Sequence, residues 1–256
     1  MEETSISAPF GPNALAFSDV TRQLRTTFET LTDRRRGKNI RYSMVDAALS
    51  AFSVFFMQSP SFLDYQRTMQ ETQGKDNAQT LFGVHRIPSD NHIRNLLDAV
   101  EPSAVHPMFS FVFKGLQQAA VVDSVRAMGQ TLLLALDGAC DFSSQKVNCS
   151  HCSTQHHANG QVTYFHTALT PVLVRPGADF SLPLAPEFVP PQDGDEKQDC
   201  ELSAARRWLQ QWGATYAPLG VTVLGDDRYC HEPFCRTLLA QGFQLGVALF
   251  GHQSAY

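Results

Sequence analysis

Two short apolar runs in this chain end on aspartate: LLLALDG at Asp137 and VTVLGDD at Asp226. In an open α/β sheet, functional groups gather where strands end and the chain turns into a crevice. Two carboxylates brought together at such a point are hard oxygen ligands suited to Mg²⁺ or Mn²⁺, and paired divalent ions support phosphodiester chemistry. Asp227, the next residue, is a further candidate ligand. Aspartate after a strand is also a common turn residue, so the reading leans on two acids in matching contexts rather than on either alone.

A second group lies between them, in VNCSHCSTQHHANGQVTYFH. Cys149 and Cys152 form a Cys-x2-Cys knuckle, and His151, His156, His157 and His166 follow within seventeen residues of Cys149. Thiolate and imidazole at that spacing can close a tetrahedral Zn²⁺ site, which would order a polar loop that has little apolar surface of its own. The ligand set expected is Cys149, Cys152, His157 and His166, the two histidines being folded together by the turn at Asn159-Gly160. A redox Cys-x2-Cys and an incidental pair of reduced thiols are the competing readings.

The third group is basic. Between Arg22 and Arg41 seven basic residues stand against Glu29 and Asp33, a local charge of +5 in a chain whose formal net charge is −5. Arg34, Arg35, Arg36 and Lys38 could neutralise phosphates, because the field at a surface is set by nearby charges. The same run before Gly37 fits the last turn of a helix with its glycine stop, and by itself it favours that plainer reading.

The elements that must position these groups fall into two halves. Phe17, Val20, Leu24, Phe28 and Leu31 recur at helical spacing and predict a helix ending near Gly37. Ser43 with Asp46, and Ser61 with Asp64, have the form of capping boxes. The helix after Ser43 is apolar almost all round and is expected to be central and buried. Further helices are expected from Asp90 and from Ser103 to Met128. They could form a helix-turn-helix reader or a plain bundle. From Gly129 the character changes. Strands are expected at Thr131–Leu136, in two pieces across Val162–Val174, at Val221–Leu224 and at Phe243–Phe250. Helices are expected over Asp199–Gly213 and Glu232–Gln241. The proline-rich stretch from Pro183 to Gly194 reads as a loop. The expectation is therefore a helical region over 1–128 and an α/β region over 129–256. Acidic residues in Asp193–Glu201 sit at a helix start, where they complement the macrodipole; a carboxylate reaching the crevice is the alternative reading there.

Composition sets the outer limits. With 43% hydrophobic and 18% charged residues, a disordered chain is excluded. The longest apolar run, Met44–Met57, contains Asp46 and is shorter than the ~20 residues a spanning helix needs. The N-terminus, MEETSISAPFGPN, lacks the basic and apolar regions of a secretory signal. A cytoplasmic protein with reduced cysteines and no membrane association is expected.

Taken together, DRRRGKNIRYSMVDAALSAF, QSPSFLDYQR, LFGVHRIPSDNHIRNLLD, LLALDGACDFSSQKVNCSHCSTQHHANGQVTYFHTALTPVLV, PQDGDEKQDCE and LGDDRYCHEPFC resemble bacterial insertion-sequence transposases of the DDE class, similar to the ISNCY group. The resemblance spans nearly the whole chain. It implies an RNase H-like mixed sheet with flanking helices, carrying a zinc-knuckle-like insertion between its first two strands and preceded by helical DNA-binding segments. It also implies Asp137 and Asp226 as the first and second acids, two divalent ions, and double-stranded DNA as partner, and leaves a homo-oligomer open. Arg34, Arg35, Arg36 and Lys38 become candidate phosphate contacts. The third acid of such enzymes is a glutamate well past the second aspartate, but only 30 residues follow Asp226 and Glu196 and Glu201 precede it. The expectation is a C-terminally truncated transposase. A non-catalytic DNA-binding remnant and an RNase H-like metal-dependent nuclease are the alternatives.

Overall fold

The computed structural model describes residues 15–36, 40–71, 77–84, 86–127, 130–191 and 199–247. Contacts divide the chain into two compact units, Met1–Ala119 and Ala120–Tyr256. No helix among the described residues is long and apolar enough to cross a membrane.

The first unit is helical: α1 (Phe17–Glu29), α2 (Met44–Phe56), α3 (Phe62–Glu71), α4 (Asn77–Phe82), α5 (Asp90–Leu97), a 3₁₀ turn (Pro102–Val105) and α6 (His106–Gln118). The apolar stripe of α1 buries Leu24 and Phe28 in a cluster with Leu31, Ala47, Ala48, Leu49, Val54 and Phe82. This helix stops at Glu29, well before Gly37. The Thr30 hydroxyl donates to the Thr27 carbonyl at 2.7 Å, and Arg34–Arg36 run on in non-helical chain. The arginine run is therefore not a helix end.

The capping box at α2 is complete: Asp46 N–H donates to Ser43 Oγ at 2.9 Å and Ser43 N–H to Asp46 Oδ2 at 3.2 Å. At α3 the Asp64 N–H donates to Ser61 Oγ at 3.1 Å. α2 packs one face rather than all round. Ala47, Leu49, Ser50 and Ser53 are at most 1% exposed, whereas Phe55 is 74% and Phe56 46% exposed. Phe56 instead stacks with Phe17, Phe52 and Phe82 in an aromatic cluster. The helix expected over Ser103–Met128 breaks at Ala120, whose φ of 58° is left-handed.

The second unit opens with α7 (Val121–Ser124), and its first strand is β1 (Leu132–Ala135). Then come β2 (Gly138–Ser144), β3 (Ser153–His156), β4 (Val162–Leu169), β5 (Val172–Val174), β6 (Leu182–Pro183) and β7 (Glu187–Val189). These are followed by α8 (Glu201–Tyr216), β8 (Val221–Gly225), α9 (Glu232–Ala240) and β9 (Gln244–Val247). One mixed sheet runs β6-β5-β1-β8-β9, with β1 antiparallel to β5 and parallel to β8, and β8 parallel to β9. A second sheet runs β2-β4-β3, with β7 also paired to β4. Because β2 follows β1 and β4 precedes β5, one hairpin feeds both sheets, with a break at Leu136-Asp137 on one arm and Thr170-Pro171 on the other.

The β1 side chains from Leu132 to Leu134 are almost fully buried, as befits a central strand covered on both faces. α8 packs by Trp208, which is fully buried and donates its indole N–H to the Ala185 carbonyl at 2.8 Å. Two short strands, β6 and β7, lie in the stretch expected to be loop. Pro183 sits in the outermost strand of its sheet, where a missing N–H costs no ladder bond. The expected strand Phe243–Phe250 is seen as Gln244–Val247, its last residues lying outside those described.

Two predictions follow from this packing. Ser43→Ala should destabilise the helical unit by about 1 kcal/mol, read by denaturant titration of the helical circular-dichroism signal. Tyr216 lies flat against Trp208 at 5.6 Å, and burial pushes its phenol up to about 12. A folded pKa above the unfolded value of about 10 contributes stability that is complete below pH ~10 and is lost as pH rises toward 12. Unfolding titrations across that window should show the decline, and Tyr216→Phe should make it shallower.

Candidate functional site

Asp137 and Asp226 are brought together by strand register. β1 and β8 pair in parallel with Ala135 opposite Leu224, and the Leu136 N–H donates to the Leu224 carbonyl at 2.9 Å. Asp137 and Asp226 each lie two residues further on, at the same end of neighbouring strands. The other end of the pair is pinned by Thr131 Oγ1 against Thr222 Oγ1 at 2.8 Å. The Asp137 carbonyl accepts from both the backbone N–H and the hydroxyl of Thr170, at 2.9 and 3.2 Å, so the break in the hairpin is fixed. Asp226 caps a 3₁₀ turn (Asp227–Tyr229), its Oδ1 accepting from the Arg228 N–H at 3.0 Å. Asp227 points into solvent on that turn.

A third carboxylate joins them, from a residue first assigned to the helix dipole. Glu201 is the first residue of α8, and its side chain lies directly over Gly138, the residue after Asp137. A Cβ at position 138 would stand 2.5 Å from Glu201 Oε2 and 2.6 Å from its Cδ, so a larger residue there requires the Glu201 side chain to move. Glu201 Oε1 accepts a short hydrogen bond from the Tyr229 hydroxyl. Burial first, then that bond, then the charges of Glu201, Asp137 and Asp226 hold the Tyr229 phenol far above its ordinary range. Tyr229 thus links Glu201 by a direct hydrogen bond and Asp137 and Asp226 by charge. The local cation is Arg228, whose Nη1 is 3.6 Å from Glu201 Oε2 and whose Nε is 3.9 Å from Asp226 Oδ2. Its side chain is 71% exposed, so these are loose, solvent-screened contacts.

α8 is held in place by Arg207. Its guanidinium donates to Glu187 Oε1 at 2.8 Å, to Asp199 Oδ2 at 2.8 Å and to the Phe188 carbonyl at 2.9 Å. Burial opposes its charge, but the bonds to Asp199 and Glu187 outweigh that and raise its pKa. The Asp199 side chain is wholly buried two residues before Glu201, so this ion pair anchors the start of the helix that carries Glu201. In the sequence Glu201 reads first as an acid in a first helical turn, with a carboxylate reaching the crevice from Asp193–Glu201 as the alternative. The glycine immediately after Asp137 was the other available signal.

The cysteine-histidine group forms in part. Cys149 Sγ, Cys152 Sγ and His166 Nε2 lie within 4.8 Å of one another. His157 is engaged elsewhere, its Nε2 2.8 Å from Thr163 Oγ1 across the β3–β4 turn. Of the basic cluster, Arg35 is committed internally: its Nε and Nη2 clasp Asp33 at 2.9 and 2.7 Å, and Nη2 also donates to the Tyr42 carbonyl at 2.9 Å. That clasp holds the Asp33 carboxyl down to about 2. Arg34 and Arg36 are exposed. Lys38 lies outside the described residues.

No family model matches this chain. Among solved structures, it aligns with one described as the crystal structure of a pre-cleavage Mos1 transpososome. The alignment has 9% identity over 91% of this chain and 78% of that one, with a TM-score of 0.16. A superposition that loose carries no information on fold or activity.

The fit of Glu201 over Gly138 gives a prediction that needs no assay of function. Gly138→Ala should destabilise the α/β unit by about 1–3 kcal/mol, because the carboxylate must leave Tyr229 to make room. Glu201→Ala should recover most of that loss in the Gly138→Ala background, a coupling to be read from a double-mutant cycle in urea.

Proposed function

We propose that this chain is a metal-dependent phosphodiester-cleaving enzyme acting on DNA, of the DDE transposase type. Asp137, Asp226 and Glu201 are its three carboxylates. The observation that carries the reading is the β1–β8 register, which sets Asp137 and Asp226 at one end of neighbouring strands, with the Glu201 side chain of α8 lying against Gly138. The order β6-β5-β1-β8-β9, antiparallel on one side of β1 and parallel on the other, supports an RNase H-like core. The sequence resemblance supports transposition as its setting. Glu201 precedes Asp226 in the chain, so this assignment departs from the usual order of acids in such enzymes.

The donor set fits hard divalent cations. Asp137 and Asp226 lie at the same end of neighbouring strands and Glu201 lies against Gly138, and their carboxylates are hard oxygen donors of the kind Mg²⁺ or Mn²⁺ takes. Asp137, Asp226 and Glu201 would hold the ions, and Asp227 is close enough in sequence to assist. When bound, such ions activate a water or hydroxyl nucleophile and stabilise the leaving oxygen of a phosphodiester. The chain's own groups set the geometry. Tyr229 fixes Glu201 through Oε1 and leaves Oε2 turned to Gly138. Thr170 fixes the backbone of Asp137, and the Arg228 N–H orients Asp226. Exposed Arg228 can meet a phosphate at the rim. In the helical unit, Arg34 and Arg36 are the arginines of the run available to DNA phosphates, while Arg35 is spent on Asp33 and Tyr42.

Two measurements test this. Nicking of supercoiled plasmid DNA with Mn²⁺ should fall at least ~100-fold in Asp137→Ala, Asp226→Ala and Glu201→Gln, and about tenfold in Tyr229→Phe. Intact DNA binding with no nicking by the native chain would defeat the enzymatic reading. In a salt-titrated shift assay, the Arg34→Ala/Arg36→Ala double variant should bind more weakly on every sequence. Its log–log salt slope should be shallower by about 1.8. No binding by the native chain at low salt would defeat the DNA reading altogether.

A further inference from the structure

We infer that Cys149, Cys152 and His166 form a Zn²⁺ site with three protein ligands and an exchangeable fourth position, distinct from the carboxylate site and independent of the function proposed for it. The Cys149 and Cys152 sulfurs are 3.6 Å apart, and His166 Nε2 stands 3.3 Å from the first and 3.2 Å from the second. Tetrahedral zinc with Zn–S near 2.3 Å and Zn–N near 2.05 Å needs S···S of ~3.8 Å and S···N of ~3.6 Å. The three atoms already make that triangle to within a few tenths of an ångström. Their separation also exceeds a disulfide's S–S bond of about 2.05 Å, so the two sulfurs are not joined.

The knuckle is built to carry thiolates. The Cys149 N–H donates to Cys152 Sγ at 3.3 Å and the His151 N–H to Cys149 Sγ at 3.4 Å, two donors aimed at sulfur from one tight turn. Cys152 is buried and Cys149 exposed, which leaves one side open to solvent. His166 is held by register on β4 opposite Phe142, with the two rings 5.3 Å apart.

Beyond local hydrogen bonds such as those from Lys146 and Val147 N–H to Ser144 Oγ, the loop has little packing of its own. Residues 145–151 are exposed throughout, and the one large apolar side chain among them, Val147, is 63% exposed. A metal joining this loop to β4 supplies the order that packing does not. Soft thiolates with an imidazole select zinc over the hard ions suited to the carboxylates. His157 is held by Thr163, and the His151 ring lies 3.3 Å from Ser150 Oγ. Neither is a ligand in this arrangement.

The test is metal analysis of the full chain purified without chelator, with Co²⁺ substitution as the spectroscopic check. About one zinc per chain is expected, with the thiolate charge-transfer and ligand-field bands of a tetrahedral cobalt site. Zinc should fall below ~0.1 per chain in Cys149→Ser, Cys152→Ser and His166→Ala, and stay unchanged in Cys140→Ser, His151→Ala and His157→Ala. Where a variant fails to fold, chelation of the native protein serves instead, and amide exchange over residues 145–157 should quicken about tenfold. A native protein without zinc, or one whose Cys149 and Cys152 form a disulfide in air in the presence of zinc, overturns the site. Loss of metal in His151→Ala or His157→Ala overturns the three-ligand set.

Discussion

The parallel pairing of β1 with β8 is the constraint on which the α/β unit depends. It joins segments about ninety residues apart, and a slip of one residue would turn one aspartate to the opposite face of the sheet. Register is secured at both ends by different means. Thr131 and Thr222 meet at 2.8 Å at the start, and the Leu136–Leu224 bond closes the ladder just before the acids. Between them the side chains of Leu132, Leu134, Val221 and Val223 are at most 3% exposed. A shift would expose these core faces at the same time as it separated the carboxylates. Folding and the assembly of the site are therefore one requirement.

Like charges at the end of that pairing oppose it. Carboxylates at that end of the sheet repel, and directed donors meet each of them. Tyr229 donates to Glu201, the Arg228 N–H donates to Asp226, and Thr170 braces the backbone of Asp137. The half-buried guanidinium of Arg207 is placed one step back, where it neutralises Asp199 and Glu187 and sets the start of α8.

What was legible in the sequence follows burial. β1 and β8 are short apolar runs because both faces are covered, and each announces its terminal aspartate. The Ser43 capping box was legible because its bonds are local, three residues apart. β2 and β3 were not, since their outward faces are polar: Cys140, Asp141, Thr154 and Gln155 are exposed and show no apolar alternation. The pairing that makes them strands comes from β4. That His166 lies by the two cysteines and His157 does not has the same kind of reason. Spacing brings both near the knuckle, but the β3–β4 register puts Thr163 beside His157 and leaves His166 facing the sulfurs.

Glu201 marks the limit of reading chemistry from chain order. A one-dimensional search for a third acid looks beyond the second, and by that rule Glu201 is disqualified. The sheet imposes no such rule. β8 inserts beside β1 although the hairpin, β7 and α8 come between them in sequence, so a residue at the start of α8 arrives at the same edge as both aspartates. What identifies it is a relation between two residues over sixty positions apart: a glycine with no room for a Cβ and a glutamate occupying that room. Either alone is unremarkable, a glycine after a strand and an acid in a first helical turn. Their contact is a product of the tertiary fold, and it is on the contact rather than the order that the role proposed for Glu201 rests.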